Sequence, residues 1–197
     1  MTEFLDPAAM WQLLRTNPVA GVIVAGEIAF WIVLAAGLTA RYLLRSPRLG
    51  AGFLLGVPLI DVVVLIAAFI HLYRGATADA THGLAAIYLG FSVAFGPAMV
   101  RWADQRFAHR FAGGPPPVKP PKHGPERIRY EWAQWGKMMI CWAITCGTVL
   151  LFVVCFGDRA AALHRWAYQV SLISLIWFVV GPLWVTIFPP KKVGERA

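Results

Sequence analysis

Residues Ala51–Leu72 read AGFLLGVPLIDVVVLIAAFIHL, an apolar run broken by one acid, Asp61, with no Lys or Arg to neutralise it. An α-helix needs about 20 apolar residues to cross the hydrocarbon core of a bilayer. An ionised side chain at mid-bilayer costs at least ~2.5 kcal/mol, so such an acid needs a cavity, a partner or a function. The stretch before it repeats the pattern. Val19–Leu44, VAGVIVAGEIAFWIVLAAGLTARYLL, carries Glu27 well inside an apolar run whose first basic residue is Arg41, near the far end. Three more runs of similar length follow, at about Gly83–Trp102, Met138–Phe156 and Trp166–Phe188.

Composition gives the same class. The chain has 197 residues, of which 58% are hydrophobic and 14% charged, and its mean hydropathy is +0.61. Soluble domains carry about 25% charged residues. The expected fold is therefore all-α, a polytopic membrane protein with five transmembrane helices, forming a single membrane domain over residues 1–197. The net charge of +8 does not point to nucleic acid, because the basic residues fall at the ends of the apolar runs, where they anchor and orient helices, and no recognition helix or stacking platform accompanies them. The three cysteines, Cys141, Cys146 and Cys155, lie in one apolar run and read as small buried hydrophobes, not as a disulfide framework.

Orientation follows from the connecting segments, since short cytoplasmic loops carry the excess of Lys and Arg. Of the 18 such residues, fourteen fall on one side: Arg41, Arg45 and Arg48; Arg101, Arg106, Arg110, Lys119, Lys122, Arg127, Arg129 and Lys137; and Lys191, Lys192 and Arg196. Arg15, Arg74, Arg159 and Arg165 fall on the other. Five crossings put the termini on opposite sides, and the count places the N-terminus outside and the C-terminus in the cytoplasm. Residues 4–16 open with Asp6 as a helix N-cap and Pro7 at the first helical position. Leu5, Met10, Trp11, Leu13 and Leu14 give them an apolar side, the pattern of an amphipathic helix lying on the outer interface.

The loop at 103–137 is expected on the cytoplasmic side. The third helix should run on through Arg101–Phe111, with Asp104 paired to Arg101 and Phe107 to Phe111 at helical spacing. The stretch from Gly113 to Pro121, GGPPPVKPP, must end it as a stiff polyproline connector. Helix resumes from Pro125, with Glu126, Arg127, Arg129 and Glu131 expected in solvent and Trp132 and Trp135 at the headgroup level. Arg101, Arg106, Arg110, Arg127, Arg129 and Lys137 form a basic face suited to anionic lipid.

At 1.5 Å per residue, Glu27 lies about 12 Å and Asp61 about 15 Å below the outer boundary. The same counting brings Ser92, Thr148 and Ser174 to that depth, with Tyr88 a turn shallower, so these six residues are candidates for one intramembrane polar centre. Pro58 removes a backbone donor one turn before Asp61 and favours a local polar site there. Two carboxylates close together in a low dielectric cannot both ionise, so at least one is expected to hold a proton. One reading of the centre is proton- or ion-coupled transport. The other is a pair of neutral acids hydrogen-bonded between helices as structural glue. No internal inverted repeat is present, so a transport pathway would call for a homo-oligomer or a larger membrane complex.

Three histidines, His71, His82 and His164, fall at the outer face, with Asp79 nearby. They are the candidate ligands for a divalent metal or a haem in a redox component, although their spacing is no recognised metal motif. No G-x-S-x-G elbow, H-E-x-x-H, Walker loop or C-x-x-C pair occurs in the chain, and a non-enzymatic role is expected, in transport, as an accessory protein or as a structural subunit of a membrane complex.

The segment HGLAAIYLGFSVAFG at His82–Gly96, followed by Arg101-Trp102-Ala103-Asp104, resembles the YmcC-type group of small bacterial membrane proteins. The likeness extends to Glu27-Ile28-Ala29-Phe30-Trp31 and to Arg41-Tyr42, about two-thirds of the chain. The resemblance implies a bacterial inner-membrane protein and no particular reaction.

Overall fold

A computed structural model describes residues 18–42, 44 and 46–189. The expected interfacial helix at 4–16, the side chain of Glu27 and the last basic residues lie outside what is described. The described chain is helical and contains no strand. In order it forms α1 (Pro18–Tyr42), α2 (Pro47–Tyr73), α3 (Ala80–Phe111) and α4 (Gly124–Phe156). A 3-10 stretch (Gly157–Leu163) leads into α5 (His164–Phe178), which passes through a π-helical turn (Val179–Leu183) into the short α6 (Trp184–Ile187). Two stretches, Ala80–Phe111 and Gly124–Ile187, meet the length and apolarity of membrane-crossing helix among the described residues.

The ends of these helices follow from local sequence. Pro47 occupies the first turn of α2, where a missing N–H costs nothing. At α3 the Asp79 side chain caps the helix by accepting the Thr81 backbone N–H at 2.9 Å. The continuation of α3 to Phe111 is as expected, and Phe107 and Phe111 do meet, with ring centroids 5.4 Å apart. The proline-rich connector then has no helix before Gly124, and α4 resumes with Pro125 in its first turn. Gly157 ends α4 at φ 56°, a left-handed conformation that glycine adopts without the steric cost of a Cβ.

Neighbouring helices run antiparallel. Gly26 of α1 faces Ile60 and Val64 of α2, while Gly56 of α2 faces Val33. His71 near the end of α2 meets His82 near the start of α3. Gly90 of α3 lies on Cys141 and Thr145 of α4, and the indole N–H of Trp142 donates to Ser171 of α5 at 2.7 Å.

Burial is inverted relative to a water-soluble bundle. Large apolar side chains stand outward along the helices, among them Ile32, Val63, Ile66, Leu150, Val154 and Val180, whereas Asp61, His82, Glu131, Thr145, Thr148 and Ser174 are buried. So much continuous apolar exterior is the signature of a surface meant for lipid. The interior packs through small and aromatic groups. Ala68, Ala85, Ala86 and Ala160 are essentially fully buried, and Phe69 meets Phe156 edge-on at 4.9 Å between ring centroids.

Two local expectations are corrected. Glu131, expected in solvent, is 9% exposed and ion-paired with Arg127 one turn earlier; the face of α4 that carries it packs against Gly181 of the π-helical turn. Cys155, expected to be buried, is exposed, whereas Cys141 is buried.

The tightest packing is between α3 and α4. A Cβ on Gly90 would lie 2.6 Å from the Cys141 carbonyl oxygen and 2.7 Å from Thr145 Oγ1. Gly90→Ala is expected to destabilise the folded protein by about 1–3 kcal/mol through overpacking. Gly147→Ala, where a Cβ meets nothing within 4 Å, is expected to leave stability unchanged or raise it by up to about 1 kcal/mol. Thermal unfolding of the two variants in detergent checks the contrast.

Candidate functional site

Asp61 sits in the interior of α2 at 6% exposure. Its level is set by the contact between α1 and α2. Gly26 lets the helices approach so closely that an added Cβ would lie 2.9 Å from Val64 and 3.4 Å from Ile60. The turn of α1 that carries Glu27 therefore lies beside the turn of α2 that carries Asp61. The Ser92 hydroxyl of α3 lies beside the Asp61 carboxyl, while among the described residues the buried Oδ2 has no partner. An orphaned polar atom in a low dielectric is costly and marks a place where a proton, ion or ligand group would be bound.

Asp61 forms part of the wall of a cavity of about 390 Å³. Trp31 of α1 and Tyr88, Phe91, Ser92, Gly96 and Trp102 of α3 complete much of it. The structure thus brings Asp61, Tyr88 and Ser92 to one cavity. Thr148 and Ser174 are buried elsewhere, in α4 and α5, and the Ser174 carbonyl accepts the Trp135 indole N–H at 3.3 Å. Thr145 was not singled out from the sequence, yet it is fully buried and its hydroxyl donates to the Ala86 carbonyl at 3.4 Å. In sequence it is one more hydroxyl in an apolar helix, and only packing separates it from Thr148.

Where α2 turns into α3, two of the three candidate histidines meet. His82 is fully buried; its Nδ1 lies 2.8 Å from Asp79 Oδ1 and its Nε2 3.2 Å from His71 Nδ1. The Asp79 backbone N–H also approaches His82 Nδ1, at 3.3 Å. These two contacts make opposite demands on one nitrogen. A carboxylate is the stronger partner at the shorter distance, which assigns the proton to His82 Nδ1 and leaves His71 Nδ1–H to donate to His82 Nε2. His164 does not join them. It is exposed, and its Nδ1 donates to the Ala161 carbonyl at 2.9 Å. Among the described residues no three His, Cys, Asp or Glu side chains are grouped as a metal site.

The loops around this pair are tied across the bundle. Arg159 donates to the Leu72 carbonyl at 2.9 Å, its own carbonyl accepts the Ala78 N–H at 2.8 Å, and Gly83 leaves room for the Trp166 indole.

The basic residues at the other end divide by environment. Arg101, Arg110 and Arg129 are exposed. Arg106 lies over the Trp102 ring, 4.4 Å from its centroid, Arg127 is held by Glu131, and Lys137 donates to Gln134 at 3.2 Å. Asp104, expected to pair with Arg101, instead lies 3.4 Å from Arg41 of α1. That contact joins the ends of α1 and α3.

Long apolar helices, an apolar exterior and a buried acid define a small helical integral membrane protein. The chain belongs to the YmcC family of membrane proteins. It is 36% identical over 167 residues to the "Uncharacterized membrane protein YmcC" of Bacillus subtilis (strain 168), an alignment covering 83% of this chain and 85% of that protein. No family model and no solved structure matches the chain.

Asp79 both caps α3 and orients His82. Asp79→Ala is expected to lower stability by about 1 kcal/mol or more through loss of the cap, while Asp79→Asn keeps the cap and most of the stability. Denaturation of the purified variants in detergent measures the difference.

Proposed function

We propose that this protein is a five-span protein of the bacterial cytoplasmic membrane, N-terminus outside and C-terminus in the cytoplasm, whose Asp61 cavity serves proton- or cation-linked transport or an accessory role in it. The observation that carries the reading is the carboxyl of Asp61, buried at 6% exposure with Oδ2 unpartnered beside an apolar cavity. A carboxyl kept only as glue between helices would have both oxygens engaged. One with a free oxygen can take up a proton or a cation and release it, the elementary step of an ion-coupled carrier. The five helical rods and the concentration of Lys and Arg at one end support the topology.

Liposomes containing the purified protein and an internal pH dye test the activity. Under an imposed pH gradient, wild type is expected to pass protons faster than empty liposomes, and Asp61→Asn to return the rate to that of empty liposomes. Equal rates for wild type and empty liposomes under every gradient tried would sink the transport reading. Reporter fusions test the topology: a reporter active only in the cytoplasm is expected to work at the C-terminus and at the 113–121 connector, and to be silent in the 74–79 loop.

A further inference from the structure

The cavity beside Asp61 has a shape and charge that select a ligand class. Its lining runs along α3 from Leu84 to Ala103, about 28 Å at 1.5 Å per residue, close to the ~30 Å thickness of a hydrocarbon core. Four aromatic rings line it, those of Trp31, Tyr88, Phe91 and Trp102. All four are partly exposed on the outer surface of the bundle, from 37% for Tyr88 to 58% for Trp31 and Trp102. The cavity is therefore a groove opened sideways to the bilayer, and its occupant arrives from the lipid phase.

Its acid narrows the chemistry further. Among the described residues Asp61 Oδ2 has no partner, and none of those lining the groove is Lys or Arg. When Asp61 is ionised, the occupant can supply the balancing positive charge. Bare Ca2+ or Mg2+ does not suit the site, since these ions take six or more oxygen ligands and, among the described residues, the groove wall supplies side-chain oxygens from Asp61, Ser92 and Tyr88. A cationic nitrogen suits it well. Its nitrogen sits against the Asp61 carboxyl on the groove wall, the aromatic faces attract its charge, and an apolar body fills the rest of the groove.

We infer that the groove between α1 and α3 binds a lipophilic amine, one cationic nitrogen on a long apolar body, with the nitrogen on Asp61. The inference rests on the reading of Asp61 as the working group of the cavity.

The test uses the full-length protein in zwitterionic nanodiscs, with dodecylamine as the probe and dodecanol as its neutral counterpart, read by thermal unfolding. Dodecylamine is expected to raise the melting temperature saturably, and dodecanol not to. In Asp61→Asn the apparent affinity for dodecylamine should fall by about a hundredfold or more, as when one partner of a buried ion pair is removed, while Asp61→Glu keeps the response.

Should Asp61→Asn fail to fold, Gly96→Leu decides. Gly96 lines the groove, and a Cβ there meets only Ser92 Oγ, at 3.8 Å; the leucine fills the cavity with Asp61 intact and should abolish the dodecylamine shift. An equal shift from dodecanol, or a wild-type dodecylamine response in folded Asp61→Asn or Gly96→Leu, overturns the inference. Proton flux measured without amine separates the two readings. A dodecylamine shift without Asp61-dependent flux keeps this site and removes transport, and flux without the shift does the reverse.

Discussion

The close approach of α3 to α4 is the contact on which the rest of the arrangement depends. Gly90 sits against the Cys141 carbonyl and Thr145, Ala85 and Ala86 are buried beside it, and Gly83 admits the Trp166 indole. Lipid tails are as apolar as leucine, so helices inside a bilayer gain little from hiding apolar surface and associate through van der Waals packing and interhelical hydrogen bonds. Small residues allow that packing, and the Thr145 hydroxyl on the Ala86 carbonyl adds a hydrogen bond. With one side of α3 pressed on α4, its Tyr88, Phe91 and Ser92 are left to form a cavity with α1 and α2.

The two ends of the bundle are secured differently. At the end where α2 turns into α3 the ties are directional: Asp79 to His82 to His71 between the two helices, and Arg159 to backbone groups on both sides of the turn that joins them. Those bonds satisfy backbone groups that a turn would otherwise leave unpaired near lipid. At the opposite end the ties are ionic and aromatic. Arg41 meets Asp104, Arg127 meets Glu131, and Trp132 and Trp135 donate their indole N–H groups to Thr186 and Ser174.

Much of the architecture was legible in the chain. The apolar runs gave the helices, Asp79 and the glycines and prolines gave several of their ends, and Asp61, Tyr88 and Ser92 were marked as polar groups at one depth. Errors arose where helix rotation mattered. Asp104 went to Arg41 on another helix, although Arg101 was in reach on its own. Glu131 turned inward, Thr148 and Ser174 faced away from the Asp61 cavity, and His164 stayed apart from His71 and His82. For Thr148 and Ser174 the outcome depends on angular position around a helix stretch that is apolar on every side, where a hydrophobic stripe gives no phase; for Asp104, Glu131 and His164 it depends on which neighbouring element packs alongside.

The sequence by itself determined that this is an all-helical membrane protein with an acid buried in its second apolar run, because hydrocarbon demands long apolar helices and penalises any charge inside them. It also placed the basic residues at helix ends. Only the tertiary structure decided which polar groups share a cavity, that one Asp61 oxygen has no partner among the described residues, and that two of the three candidate histidines meet. Depth along a helix accumulates at a fixed rise per residue and can be counted. Facing is set by which small residues let neighbouring backbones approach, and it exists only once the helices are packed.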